Sequence, residues 1–255
     1  MTTLAGDRDM GKRGIFAAAL LAAVFASAPV SAQQDGLYAA TVVVTGRDNL
    51  PERARGFRQT LELVLVKVAL DEEAALLAGE DGLLEHPERL VSDYTYRDRK
   101  QGIQISDEQG TRDRSFDLTV RFDPPAIDDL LLNGVSIVPW RGERPEIGAA
   151  LTIDDGASRY LLTQVSQKGY GQRLAFADAA RDLGLSVRLP QDEGDGLDTP
   201  ARIDGLMTIA ASGRWDSDWR LSGDGGDERL VLEGTTFDAA IRKALFGVVP
   251  VLVER

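Results

Sequence analysis

The chain has no cysteine and a single histidine, His86. The first absence excludes disulfides, thiol nucleophiles and a lipid joined to a processing-site Cys. Together the two remove zinc sites, which need several His or Cys ligands. A Ser-His-Asp triad could use only His86, which sits beside Pro87 in "LLEHPERL". No Gly-x-Ser-x-Gly elbow occurs, and no Ser is followed by Lys three positions later. His86 therefore reads as a helix-end or surface group. Basic residues are also in short supply: 29 Lys and Arg stand against 41 Asp and Glu. An acidic surface repels phosphate backbones and anionic headgroups, which argues against nucleic-acid binding. Internal repeats and low-complexity tracts are absent too.

The first 32 residues differ from the rest. Lys12 and Arg13 precede the uncharged run "GIFAAALLAAVFASAPVSA", which ends in Val30-Ser31-Ala32. This is the pattern of a secretory signal peptide, with cleavage expected between Ala32 and Gln33. The rival reading is a retained membrane anchor. The uncharged core before Pro29 is about 15 residues, short of the roughly 20 a span requires. The expectation is a periplasmic protein with no membrane-spanning segment once cleaved. Residues 1–32 hold three of the bases and two of the acids, so the remainder is acidic as well. It is long enough to bury a core without metal or disulfide help.

Periodicity predicts an α+β fold of two small mixed domains with antiparallel-rich sheets, residues 33–141 and 142–255. "LYAATVVVTG" reads as a strand. "NLPERARGFRQTLELVLVKVAL" reads as a helix opened by Asn49 with Glu52 three residues on. Its apolar residues Phe57, Leu61, Val64, Leu65 and Val68 line one face. Leu63 and Val66 add a second, so the helix should be buried on more than one side. Residues 71–93 read as short helical pieces broken at Gly79, Gly82 and Pro87. "DYTYRD" and "GIQIS" suggest a hairpin, and "RSFDLTVRFD" alternates as a half-buried strand. "SIVPWRGERPEIG", with two prolines, reads as the linker. Beyond it come a hairpin turning at Asp155-Gly156, a helix "YGQRLAFADAARDLG" closed by Gly184, a strand "LSVRLP", a three-strand meander and a last helix. That helix should open with Thr235 and Asp238 as a capping box.

Asp123, Asp128 and Asp129 form the densest acidic cluster that resembles chemistry. Asp123 ends a strand and precedes Pro124-Pro125, which suits an N-cap accepting from the first turn. Asp128 and Asp129 then complement the helix dipole. Asp192, Glu193, Asp195 and Asp198 in "QDEGDGLD" could offer oxygens to calcium, but the EF-hand spacing and its closing Glu are missing. "GDGLDT" and "GDGGDE" lack the strand-to-helix context of a phosphate loop. No cofactor is expected. A glycosidase would pair two carboxylates roughly 5–9.5 Å apart beside exposed aromatics. Of the three tryptophans, Trp219 alternates with Leu221 and belongs to the core. Trp215, in the turn over 212–218, and Trp140, in the linker, are the candidate partner-contacting residues. Trp140 is equally suited to a wedge between domains or to the first core.

Several of these motifs in this order resemble the domain of unknown function 2066 family of bacterial envelope proteins. They are "LYAATVVVTG" with its following helix into "LVLVKV", "VRFDPPAIDDLLLNGVSIVPW" with "RPEI", "AARDLGLSVRLPQDE", and "WRLSG" with "LVLEGTTFDAAIRKAL". The resemblance implies an exported envelope protein and carries no activity across. Two features depart from the family. Members place a Gly turn after the "LVKV" helix, where this chain has Ala69-Leu70-Asp71. They also carry a helix before the strand at 203–211, for which the loop 192–201 leaves little room. The expected function is a non-enzymatic periplasmic binding or scaffold protein whose partner is an envelope protein or polymer. The alternative is a carboxylate-dependent periplasmic hydrolase.

Overall fold

The computed structural model describes residues 36–101 and 114–252. The expected cleavage site at Ala32 and Gln33 and the strand expected in "GIQIS" lie outside them.

The first part of the chain builds a three-stranded antiparallel sheet in the order β1-β3-β2, from β1 (Ala39–Thr45), β2 (Val91–Asp98) and β3 (Ser115–Phe122). The partner of β2 is thus β3, the strand with the cleanest alternation. Phe116, Leu118, Val120 and Phe122 point to one face, where helix α1 (Leu50–Ala69) lies. Asn49 caps α1 as expected: its side chain accepts from the N–H of Glu52 at 3.2 Å. Helix α2 (Glu73–Glu80) and a 3₁₀ turn (Pro87–Leu90) follow. Gly79 lies within α2 rather than ending it. Helix α3 (Pro124–Asp129) continues into a π-helical turn (Leu130–Gly134) and seals the core with Ile127 and Leu131.

After irregular backbone up to Pro145, β4 (Glu146–Asp154) starts a six-stranded mixed sheet. β4 pairs with β5 (Arg159–Leu161) in the expected Asp155-Gly156 hairpin. It also pairs in parallel with β6 (Ser186–Arg188) and β7 (Ala201–Ile209). The meander β7, β8 (Trp215–Gly223), β9 (Gly226–Thr235) is antiparallel, as read from sequence. Helices α4 (Tyr170–Leu183) and α5 (Phe237–Gly247) cover one face, over Leu151, Ile153, Ile203, Met207 and Trp219. Trp219 is fully buried; its indole N–H donates to Ser217 Oγ at 2.8 Å. The ring lies where any side chain at Gly205, opposite it on β7, would sit.

Two readings need correction. The cap of α5 is Thr236, whose hydroxyl accepts from the N–H of Ala239 at 3.3 Å; Thr235 is still the last residue of β9. Gly234, at φ 60°, marks a bulge that lengthens β9 by one residue and shifts the helix start. Trp215 does not lie in a turn. It is half-buried, opens β8 and packs on the second core.

The buried residues sort into two cores, one per sheet. Helix α1 serves both. Phe57, Leu61, Val64, Leu65 and Val68 belong to the first core, while Val66 and Leu70 belong to the second. This is the two-sided burial that its continuous apolar stretch predicts.

Candidate functional site

The polar groups with the most perturbed surroundings gather where the two cores meet. Lys67 is the one cation of α1 placed within its apolar stretch, and it is only 5% exposed. Its ammonium donates to the carbonyl of Ala39 at 2.7 Å and more weakly to that of Gly36 at 3.4 Å. Burial pushes its pKa down to about 8, with the nearby Asp182 opposing that shift. Desolvation disfavours a charged amine, and only part of the lost hydration is replaced. A small cleft of about 150 Å³ opens beside it, lined also by Thr41, Thr119, Arg181 and Asp182.

Arg144, from the linker, reaches into the same junction. One guanidinium nitrogen donates to Leu183 O and the other to Lys67 O, each at 2.8 Å. Those carbonyls belong to the last turns of α4 and α1, where helices leave carbonyls without intrahelical partners. The negative ends of two helix dipoles thus converge on one cation. Burial still lowers the Arg144 pKa to about 10. Gly184 ends α4 at φ 63°, and a Cβ there would lie 2.8 Å from Leu37 and 3.0 Å from Lys67, so only glycine meets both demands. Leu70 ends α1 at φ 50°, the left-handed conformation in which glycine is the usual residue. Its side chain is buried in the second core, which holds the strained backbone in place.

Trp140 joins the two parts of the molecule. Its backbone N–H donates to Val68 O at 2.9 Å, while its ring packs against the second core. The indole N–H is buried without an acceptor. Nearby, Asp128 accepts from Tyr38 Oη at 2.9 Å and from Arg141 at 2.5 Å, tying α3 to β1 and the linker. Burial raises the Tyr38 pKa, and the paired Asp128 raises that of Arg141.

The acidic cluster therefore disperses. Asp123 holds the N-cap position with extended backbone, but its side chain makes no capping hydrogen bond. The two prolines that signal the helix start also remove the first two N–H donors, and one of those is a cap's usual partner. Asp129 accepts from Asn133 at 2.6 Å. Asp128 is a tie across the fold rather than a dipole partner. His86 is exposed and faces Glu88 at 3.2 Å. The groove beside it, about 520 Å³, has one carboxylate in its lining, that of Asp129.

The acidic loop is organised by its own backbone. Asp192 accepts from Gly194 N and Asp195 from Gln191 N. Leu197 is buried, and Thr199 Oγ1 accepts from Gly148 N at 3.0 Å, which pins the loop onto β4. Glu193 and Asp198 point to solvent. Among the described residues no three His, Asp or Glu side chains are grouped to hold a metal ion.

Both sheets keep one face uncovered. On the three-stranded sheet this face carries Thr41, Thr119 and Thr95 in one row, with Val43, Asp117 and Arg97 in the next. On the six-stranded sheet it carries Arg202 and, around a shallow depression of about 410 Å³, Asp204, Leu206, Asp218, Arg220 and Arg229. Arg229 pairs with Asp218 and Arg202 with Asp204. Another groove groups Glu62, Glu80 and Glu85 with Arg58. Neither this groove nor the depression contains an aromatic side chain.

Residues 31–139 match a domain of unknown function (DUF8605). The matched domain spans the first sheet, α1 to α3 and the chain up to Pro139. The likeness to the domain of unknown function 2066 family rests on the motifs alone. No curated protein and no solved structure matches this chain. Among the described residues no helix is long and apolar enough to cross a membrane.

Proposed function

We propose that this is an exported, non-enzymatic binding or scaffold protein of the cell envelope, of the kind the domain of unknown function 2066 motifs suggest. The observation that carries the reading is the pair of sheets, each covered by helices on one face and open on the other. Flat, polar, rigidly backed surfaces suit a protein or polymer partner, whereas small-molecule and catalytic sites are concave and largely apolar. The junction of Lys67, Arg144 and Trp140 supports the same reading, because it ties the two sheets together through backbone carbonyls of α1 and α4.

The hydrolase alternative gains no specific support. The acids that share a groove lie in shallow, aromatic-free surroundings, and the groups perturbed by burial at the junction are cations engaged with backbone carbonyls.

The reading is tested in two steps. Osmotic-shock fractionation with intact-mass measurement should find the protein in the periplasm with a chain beginning at Gln33. A mass retaining residues 1–32 contradicts the export step. Copurification from envelope extracts should then recover a partner that is lost on Arg220→Glu or Val43→Arg and kept on the helix-surface change Leu174→Lys. A partner insensitive to both face variants contradicts the binding surface.

A further inference from the structure

The strand edges of this protein are not treated alike. On β1, side chains from α1 occupy three of the outer backbone groups: Lys67 takes Ala39 O, Arg55 takes Val43 O and Glu52 takes Thr45 N–H. Arg55, together with that N–H, holds the Glu52 carboxyl down at about 2. β2, the other edge of the three-stranded sheet, is broken by a bulge between Val91 and Asp93. β5 and β6 are three residues each, too short to template another strand. β9 is ten residues long, and among the described residues no strand lies on its outer side.

The two-residue turn Asp224-Gly225 makes Gly223 and Gly226 a hydrogen-bonded pair. Alternation along the ladder then turns the backbone groups of Asp227, Arg229 and Val231 away from β8. No side chain among the described residues caps these three. Val231 is 55% exposed on the open face. An edge left open by the described residues, with an exposed aliphatic residue at its centre, is a template for strand addition.

We propose that β9 pairs with β9 of a second copy of this chain, antiparallel about a two-fold axis at Val231, joining the two six-stranded sheets edge to edge. Charge selects both the occupant and the register. With the axis at Val231, Arg229 of each copy stands opposite Glu233 of the other, so a guanidinium already held by Asp218 gains a second carboxylate on either side of a Val231–Val231 contact. Leu230 and Leu232 then face each other on the helix-covered side. Moving the axis to Leu230 sets Asp227 against Glu233, and moving it to Arg229 sets arginine against arginine; like charges directly opposite destabilise a sheet. The bulge at Gly234 ends the ladder after Glu233. So short a ladder buries little area, and the dimer forms in the micromolar range or weaker. This goes beyond the envelope-binding reading and stands or falls separately from it.

The test uses the purified exported protein. Sedimentation velocity from micromolar to near-millimolar concentration should show a reversible monomer–dimer equilibrium that Val231→Asp abolishes while the thermal melt stays unchanged. The absence of native cysteine makes the register readable. A hydrogen-bonded antiparallel pair holds its Cα atoms about 5.5 Å apart, within disulfide reach. Val231→Cys should therefore give a covalent dimer under mild oxidation. Arg229→Cys alone should not, because its copies lie about 14 Å apart along the ladder. An equimolar mixture of Arg229→Cys and Glu233→Cys chains should cross-link to each other. A chain that stays monomeric throughout overturns the proposal, as does a dimer in which Val231→Cys fails to cross-link.

Discussion

Lys67→Met tests the physics of the junction between the two cores. The methionine keeps an unbranched stem of similar length and removes the amine. In the folded chain burial lowers the amine from an ordinary value of 10.5 to about 8. The unfolded chain therefore holds this proton more tightly. Between about pH 8 and 10.5 the unfolded state binds more protons than the folded one, so stability rises with pH in that window. The gain is absent below the folded pKa and complete above the unfolded one. At about 1.4 kcal/mol per pKa unit, the shift corresponds to roughly 3 kcal/mol. Lys67 is almost wholly buried, so screening by solvent removes little of this. Urea melts followed by tryptophan fluorescence at neutral pH and near pH 10 supply the comparison. Wild type should gain about 2.5 kcal/mol relative to Lys67→Met across that interval, the rest following above pH 10.5. Arg144, lowered to about 10, begins to contribute at the upper end, but it is present in both proteins and largely cancels. A wild-type-minus-variant difference that stays constant with pH refutes the reasoning.

Arg144→Met should destabilise by about 1–3 kcal/mol for each helix-end carbonyl left without a donor, with little dependence on salt, as denaturant melts at low and high ionic strength will show. Gly205→Ala drives a Cβ into Cε3 of the Trp219 ring, so melts should register an overpacking cost of about 1–3 kcal/mol and a shift in tryptophan emission. Asp123→Ala should cost less than about 0.5 kcal/mol, while Thr236→Ala, which removes a real cap, costs about 1 kcal/mol; paired chemical melts separate the two. Trp140→Ala should lower the urea midpoint and broaden the small-angle scattering profile together, because the ring belongs to one core while its backbone is bonded to the helix of the other.

Local periodicity was legible where a single face decides burial. The stripe Phe176, Ala179, Ala180, Leu183 and the stop at Gly184 locate α4, and the alternation through Phe122 locates β3. The parallel pairing of β4 with β6 and β7 was not legible, because those partners are more than thirty residues away and their alternation is that of any half-buried strand. Asp123 shows how one signal can defeat another: the prolines that mark the helix start also delete donors that its cap would use. Thr235 and Thr236 differ only by the bulge at Gly234, which no pattern of apolar residues encodes. The junction had one visible trace, a lone lysine inside "LVLVKVAL". A cation with apolar neighbours on all sides is a buried cation in search of carbonyls, and Lys67 finds those of Ala39 and Gly36. Arg144 left no such trace, since a linker arginine beside Pro145 reads as solvent-exposed.

The central claim is that the open sheet faces meet a partner in the envelope. Photo-crosslinking in intact cells tests it most directly, with a photoreactive side chain placed at Val43, at Arg220 or, as a comparison, at His86 in the groove beside α3. The account predicts a discrete adduct from Val43 or Arg220 and none from His86. Adducts from His86 alone, or none from either sheet face, would contradict it.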